Sequence, residues 1–559
     1  MRLRGWRAMS CLLAAWAAIP AVLQAQSLPD AGRALQDVTP APVAPPARNA
    51  RGALPSEEER PAMSAPGARR LMVRHWRITG AHVFPVAKLQ ALISGYRGEE
   101  LTLAELENVA GVITAYYRRH GYLLSRAYIP AQTVANDTVE IAIIEGHLSD
   151  IHVTNKSVVW VPVIKDHLEH LLSLGPVQGP GLERSLMLLS DLPGIDVEST
   201  LRPGATVGTS VLDVHIRDTA RLSGSVDADN YGNRYTGQFR GGGTLDVNEP
   251  LHLGDVFTLR GDTSGPGMTY GRAGWQVPLG GGGLEAGAAG SYLRYELGNR
   301  FASLDASGNA QVETLWASYP VMRGVYHDLA VQASYDGKQL DDRIGAVGSD
   351  SRRNLGVLTL GLSGDETDGF GGWGVSSYSL DVVRGQLRLD PVSAALDQGV
   401  GGHHTLGSYY KLAFSYRRTQ HLVGDIDFSG TLTGQTSNKN LDSSETLSLG
   451  GATGVRAYPQ DEGIGDDAVI LNLELHGTMD VPGLLWKGFF DIGTAREYHS
   501  PLPTDIGNDR TLAGEGVGLQ WLRPGLPEVS ATLAWRATGP PVTDADRRPR
   551  VWVQIAQYF

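Results

Sequence analysis

Val551-Trp-Val-Gln-Ile-Ala-Gln-Tyr-Phe559 closes the chain, and its alternation guides the reading of everything before it. Val551, Val553, Ile555, Gln557 and Phe559 fall on one face of an extended segment, and Trp552, Gln554, Ala556 and Tyr558 fall on the other. A strand that ends a soluble domain on an aromatic residue has little to hold it, because free ends fray. As the last strand of a membrane β-barrel it is well placed. Its aromatics join the girdle at the membrane surface, and its backbone pairs with the first strand so that no edge is left. Tyr558 and Phe559 are therefore read as the C-terminal barrel signal.

Composition agrees with a barrel. Glycine supplies 70 of 559 residues, above an average of about 7%. Residues 1–25 read as a signal peptide, with Arg2, Arg4 and Arg7 before the short apolar run Cys11 to Leu23. Cys11 is the single cysteine and lies inside that leader. The mature chain is thus expected to have no disulfide frame, thiol nucleophile or cysteine metal site. Beyond the leader no apolar run reaches the roughly 18 residues that a membrane-crossing helix needs. Losing the three leader arginines takes the formal net charge from −12 to about −15, which argues against a nucleic-acid partner.

Along the chain, residues 26–70 form a Pro-rich linker, as in Val38-Thr-Pro-Ala-Pro-Val-Ala-Pro-Pro46, with one short helix over Asp30 to Asp37 and Asp30 as its N-cap. Residues 71–146 read as a small α+β unit: a strand from Val73 to Ile78, helices Val86–Ile93 and Leu103–Arg119, then strands Leu123–Ile129 and Thr138–Ile144. Residues 147–218 repeat that order more loosely. From 219 to 559 the sequence offers no helix and sixteen strand candidates, starting near 221, 237, 253, 267, 283, 309, 327, 352, 373, 405, 421, 467, 484, 512, 528 and 549. Connections after even-numbered strands are mostly short, such as Leu279-Gly-Gly-Gly-Gly283, and those after odd-numbered strands mostly long, such as 435–466. An even strand count with short turns on one side and long loops on the other predicts an outer-membrane barrel.

Several motifs carry a family resemblance. The first unit holds Tyr116-Tyr-Arg-Arg-His-Gly-Tyr122, Ile129-Pro-Ala-Gln132 and Ile144-Glu-Gly146; the second holds Arg184-Ser-Leu-Met-Leu-Leu-Ser-Asp-Leu-Pro-Gly194. The barrel opens with Asp229-Asn-Tyr-Gly-Asn-Arg-Tyr-Thr-Gly237. The chain resembles the outer-membrane transporters of two-partner secretion, the haemolysin secretion and activation proteins, within the barrel-assembly superfamily. The resemblance implies two POTRA domains before a 16-stranded transmembrane antiparallel β-barrel, a mainly β fold. It marks Gly121, Tyr122, Pro130, Gln132, Glu145, Gly146, Leu192, Pro193 and Gly194 as POTRA motif residues.

The most diagnostic stretch lies between strand candidates 11 and 12. Gly454-Val-Arg-Ala-Tyr458 is similar to the family's sixth-loop motif, with Gly454, Val455, Arg456, Ala457 and Tyr458 in place. In the family this loop folds into the lumen and its arginine meets an aspartate of the wall. The matching wall stretch is Gly488-Phe-Phe-Asp-Ile-Gly493, which pairs Arg456 with Asp491 and flanks the aspartate with Phe489 and Gly493. A guanidinium can make two charge-assisted bonds to one carboxylate, fixing orientation as well as position. The sequence departs from the family at Ala457, where glycine is usual, so a differently shaped turn is expected.

No catalytic motif, metal set or cofactor site is read from the chain. His403-His404 lack ligand-spaced partners, and Arg260-Gly-Asp262 falls at a strand end. The resemblance implies a non-enzymatic translocator in the bacterial outer membrane with its POTRA domains in the periplasm, and it makes the short Asp30–Asp37 stretch the one candidate for an N-terminal plug helix. Its expected partners are a large exoprotein with an N-terminal secretion domain, outer-membrane lipid, and the barrel-assembly machinery for its own insertion. Two alternatives stay open: an insertase of outer-membrane proteins, and a passive porin or adhesin.

Overall fold

The computed structural model describes residues 28–38, 56–57, 70–173 and 175–559. The expected signal peptide and most of the expected linker lie outside them. The first helix, α1 (Ala31–Val38), is separated in sequence from two small α+β modules. In the first module, strand His75–Thr79 runs parallel to Thr138–Ile144, which pairs antiparallel with Arg126–Tyr128. Helices α2 (Val86–Leu92) and α3 (Leu103–Arg119) cover this sheet. Leu106, Val109, Ile113 and Tyr117 on α3 meet Ile141 and Val139 on the strand, so helical and alternating patterns share one core.

The single first strand expected here is broken at Arg74. The N–H groups of Arg74 and His75 both donate to the carbonyl of Asp137, which sits in a left-handed turn. A separate ribbon, Leu71–Val73 with Glu99–Leu101, takes up the preceding residues.

In the second module, helices α4 (Val161–Leu168) and α5 (Gly179–Ser190) pack on strands His147–Lys156, Thr209–Asp218 and Ile195–Pro203. The outer edge of Ile195–Pro203 is extended by Ser56–Glu57, a piece of the linker, in parallel register with Thr200 and Leu201.

The barrel is closed and has sixteen strands. In order they are β1 (Leu222–Asp229), β2 (Arg240–Asn248), β3 (Val256–Thr263), β4 (Met268–Pro278), β5 (Glu285–Glu296), β6 (Ala306–Arg323), β7 (His327–Ile344) and β8 (Ser349–Asp368). They continue as β9 (Gly374–Leu389), β10 (Gly407–Val423), β11 (Ile426–Ser437), β12 (Asp467–Thr478), β13 (Leu484–Arg496), β14 (Asp509–Trp521), β15 (Glu528–Arg536) and β16 (Arg550–Tyr558). Every start lies within five residues of the sequence expectation. Closure is as the terminal stretch predicts: β16 pairs antiparallel with β1, Ser225 opposite Tyr558, and Gly224 exchanges both backbone bonds with Phe559.

One element was missed in this region. The long loop after β9 folds as α6 (Pro391–Gln398). Asp390 caps it by accepting from the N–H groups of Val392 and Ser393, and Pro391 supplies a helix-ready φ.

Short turns of the barrel face the modules. On α5, Asp191 takes both sides of the Arg323 guanidinium at 2.7 and 2.8 Å, and Glu183 accepts from the N–H of Val325. Arg184 donates to the carbonyl of Pro320, and Asp166 accepts from the N–H of Gly281. The second module is thereby fastened to the turns after β4 and β6.

Candidate functional site: the plugged lumen

Residues 438–466 between β11 and β12 dip into the barrel, where Leu449, Val455 and Tyr458 are fully buried. Arg456 reaches Asp491 of β13 through Nε (2.9 Å), Nη2 (2.8 Å) and its own backbone N–H (3.0 Å). The expected pair is present as a three-bond grip on one carboxylate that has no exposure to solvent. The guanidinium also lies 3.5 Å over the ring of Phe489, a cation–π contact in a site with little competing water.

Three partners were not anticipated from sequence. Glu474 of β12 accepts from Arg456 Nη1 at 2.8 Å. Asn472 of the same strand donates to Asp491 and to the carbonyl of Gly454. Trp552 of β16 donates its indole N–H to the carbonyl of Arg456 at 2.7 Å. Asn472 and Glu474 were detectable in principle: they interrupt Val469-Ile-Leu-Asn-Leu-Glu-Leu475 at alternate positions, the mark of a strand turning polar side chains inward.

The tip of the loop is fastened as well. The Tyr458 hydroxyl donates to the carbonyl of Gly539 and meets Thr538 at 2.7 Å. Glu462, fully buried, accepts from Arg510 and from the N–H groups of Val542 and Thr543. At the loop's base Glu445, also buried, lies between Lys338 (2.7 Å) and Lys411 (3.0 Å). Ala457 causes no distortion: the positive φ values in this stretch belong to Gly451, Asp461 and Gly463. Its methyl lies where a side chain at Gly514 of β14 would stand, 2.3 Å from that virtual Cβ. A small residue on the wall thus accommodates the one departure from the family pattern.

Helix α1 occupies the lumen beside this loop. Its apolar face, Ala31, Ala34, Leu35 and Val38, packs with Leu293, Tyr295 and Leu355 of the wall. Its N-cap, Asp30, accepts from the N–H of Arg33, as the sequence predicts, and also from Ser443 of the loop, and pairs with Arg353 of β8 at 3.1 Å. Arg353 binds Asp342 of β7 and Asp442 of the loop too, so one cation joins helix, loop and wall. At the far end, Gln460 donates to Asp37 and Arg240 to the Asp37 carbonyl. No helical signal could place α1 here, because its partners lie hundreds of residues away.

The remaining marked residues lie within the first module or at joints. Glu145 accepts from the N–H groups of His82 and Val83 and from the Tyr117 hydroxyl at 2.6 Å. Burial, then the bond to Glu145, pushes the Tyr117 hydroxyl up, so it stays the donor. Gln132, two residues past Pro130, brackets Glu140 by accepting from its N–H and donating to its carbonyl. Gly121 ends α3 and accepts at its carbonyl from the N–H of Gly179, while Tyr122 accepts from Gln178. Gly146 abuts Leu124 and accepts from the N–H of Val177. Glu145 and Gln132 thus brace the first module internally, and Gly121, Tyr122 and Gly146 join it to the second. Leu192, Pro193 and Gly194 end α5 next to the barrel turn after β2. Gly493 backs onto Leu449 of the loop.

Among the residues set aside, Arg260 pairs with Asp262 at 2.8 Å. His403 stacks on Tyr498 at 3.7 Å and meets Asp505.

Comparison with known proteins bears directly on this arrangement. The model of the haemolysin secretion/activation protein family (ShlB/FhaC/HecB) matches residues 208–521, and that of the ShlB-type POTRA domain matches 71–146. The chain is 25% identical over 488 residues to the Heme/hemopexin transporter protein HuxB of Haemophilus influenzae, covering 84% of each. It is 24% identical over 398 residues to the outer membrane transporter CdiB of Dickeya dadantii, covering 69% of this chain and 68% of the relative. Among solved structures it resembles CdiB from Escherichia coli, with a TM-score of 0.72, 21% identity and coverage of 91% of this chain and 94% of that one.

Proposed function

The chain belongs to the haemolysin secretion/activation protein family, and on that footing we propose a mechanism by which it passes a large client exoprotein from periplasm to cell surface. It is an outer-membrane translocator of two-partner secretion, with its POTRA domains in the periplasm. The observation that carries the mechanism is the filled lumen. Helix α1 and the loop carrying Arg456 stand where an exported chain must pass, and both are held by apolar packing and by ionic contacts to the wall.

The client docks on the periplasmic modules by adding a strand to a sheet edge. The edge of Ile195–Pro203 supports this reading, because it already accepts a strand, Ser56–Glu57. A client strand that takes this edge displaces the linker leading back to α1. The plug and the loop then leave the path, and the client threads through extended and folds outside. Folding at the surface gives direction without a nucleotide, since folded product cannot re-enter. The export step needs no catalysed reaction; Arg456 and Asp491 act as a lock, with Glu474 as its second carboxylate. The client is one dedicated exoprotein.

Deleting the gene from its host and comparing secreted and surface proteomes, with and without complementation, tests the reading. The expected result is loss of one very large exoprotein with other barrels unchanged. General depletion of outer-membrane barrels would instead assign an insertase, and no change would return the protein to a porin or adhesin.

A further inference from the structure

Residues 249–255, the turn between β2 and β3, form the third contact between the barrel and the second module. Gly254 fits against Leu192 and Pro278 so closely that an added Cβ would stand under 3 Å from each. A Cβ on Gly194 would touch Asn248 and Glu249, and the N–H of Trp160 donates to the carbonyl of His252 at 3.0 Å.

Two residues of this turn are unusual in the same two ways. Glu249 and His252 both hold a left-handed φ, at 58° and 64°, which side chains with a Cβ rarely adopt. Each also buries a polar atom that has no hydrogen-bond partner among the described residues: Oε1 of Glu249 and Nδ1 of His252. Glu249 is only 1% exposed, and its other oxygen accepts a single bond, from the N–H of Gly254. Its neighbour Asp255 is buried too but well supplied. It accepts from the N–H groups of Leu251 and Leu253 and from the indole of Trp275. The half-bare carboxylate is the one that cannot carry its charge cheaply in a closed seam.

The charged and titratable groups facing Glu249 are Asp255 and His252 of its own turn, Asp218 at the end of the second module's sheet, and Arg221 just before β1. Burial first, then Asp255 and Asp218, push the Glu249 carboxyl up to about 7, against the opposing pull of the Gly254 N–H and Arg221.

We propose that Glu249 is a proton-operated catch between the second module and the barrel. Protonated, it lets the 249–255 turn close against Leu192 and Gly194. Deprotonated, it draws water into the seam, and the module swings about the contact that Asp191 makes with Arg323 on the turn after β6. The closed seam keeps its proton up to neutral pH, whereas a glutamate exposed to water releases it near 4.5. Closure is therefore most favoured below about 4.5, weakens as pH rises through the interval, and has lost this support above 7. The catch goes beyond export itself, since it sets the mobility of the module whatever the client.

Distance measurement between two spin labels on the full-length protein in liposomes tests it. The chain's one cysteine, Cys11, lies in the expected leader, so Val207→Cys on the second module and Val423→Cys on the turn after β10 give a clean pair; both positions are well exposed. The distance distribution is expected to be narrow at pH 5 and to broaden as pH rises towards 7, with no further change above it. Glu249→Gln should keep it narrow from pH 5 to 8. Asp218→Asn, at an exposed position, should move the midpoint to lower pH, and it serves as the readout if Glu249→Gln fails to give a heat-modifiable barrel. A wild-type distribution unchanged between pH 5 and 8 would overturn the catch. So would Glu249→Gln titrating like the wild type, or an Asp218→Asn midpoint that stays in place.

Discussion

The periplasmic modules and the contents of the lumen are held in place by different means. Each module closes over an aliphatic core: Leu106, Ile113 and Ile141 in the first, Ile164, Leu186 and Leu212 in the second, all at 1% exposure or less. In the lumen, α1 and the loop also bury apolar side chains against the wall, Leu35 and Val38 in one and Leu449 and Val455 in the other, but charged grips are added to them. Asp30 and Asp442 are on Arg353, Glu445 is on Lys338 and Lys411, and Arg456 is on Asp491 and Glu474. An aliphatic core opens only by exposing apolar surface, at about 25 cal/mol per Å². An ionic grip in a lumen that floods can exchange its partners for water. The parts that must stay rigid are therefore closed by aliphatic cores, and the parts that must leave the channel add exchangeable ionic grips to their apolar contacts.

The sharpest way to break this comparison is Arg456→Ala. It leaves Asp491 and Glu474 facing each other without their cation, a loss of about 3–5 kcal/mol for a truly buried pair. Export of the client should collapse while the barrel still assembles, seen as normal surface amounts with normal heat-modifiable mobility. Arg456→Lys should restore little, because a point charge cannot reach both carboxylates in the same fork. If client export stays normal, the lock is not part of the transport cycle.

Ile141→Ala asks the converse question. It empties a fully buried position of the first module and should cost about 2–5 kcal/mol. Limited proteolysis should cut the first module while the barrel resists, because the two share no core. Loss of the barrel along with the module would mean that the two regions are not separately stabilised.

Glu445→Gln sharpens the lumen side alone. It removes one negative charge between two buried lysines but keeps the shape, at a cost of about 2 kcal/mol for hydrogen bonds to charged groups. The loop should loosen without leaving, and planar-bilayer recordings should show more frequent large openings. An unchanged opening frequency would show that the base of the loop is not a grip.

How much of this was legible in sequence follows the same division. The barrel was, because alternation such as that of Val551 to Phe559 depends on neighbours two residues apart. Helix α3 was, because Leu106, Val109 and Ile113 repeat at helical spacing. The Arg456–Asp491 pair was reached through family likeness, and its chemistry made it plausible. Glu474, Asn472 and Trp552 were not found, because inward polar residues on strands resemble any other alternation until the loop is seen lying against them. Family likeness alone made α1 a plug candidate; its contacts were out of reach for the same reason, because Asp342, Arg353 and Ser443 lie more than 300 residues from it. Helix α6 had a readable start at Asp390-Pro391, overlooked inside a region read as all strand.

The smallest effect tests whether the modules are as insulated as their cores imply. Thr102 caps α3 in a reciprocal box: it accepts from the N–H of Glu105, whose carboxylate accepts from the Thr102 N–H at 2.7 Å. Thr102→Ala removes one half of that exchange and should cost about 1 kcal/mol. The cap lies on the module's surface, and the core beneath it stays filled. Amide exchange should therefore quicken over the first turn of α3, residues 103–106, and remain slow at Ile113 and in the strand Thr138–Ile144. Export and barrel assembly should match the wild type. A change only about twice as large in the lumen, at Glu445, is expected to alter channel opening; at Thr102 it should be absorbed locally. If Thr102→Ala changed export as much as Glu445→Gln does, the modules would transmit small strains to the channel, and the contrast between a rigid periplasmic arm and a releasable plug would fail.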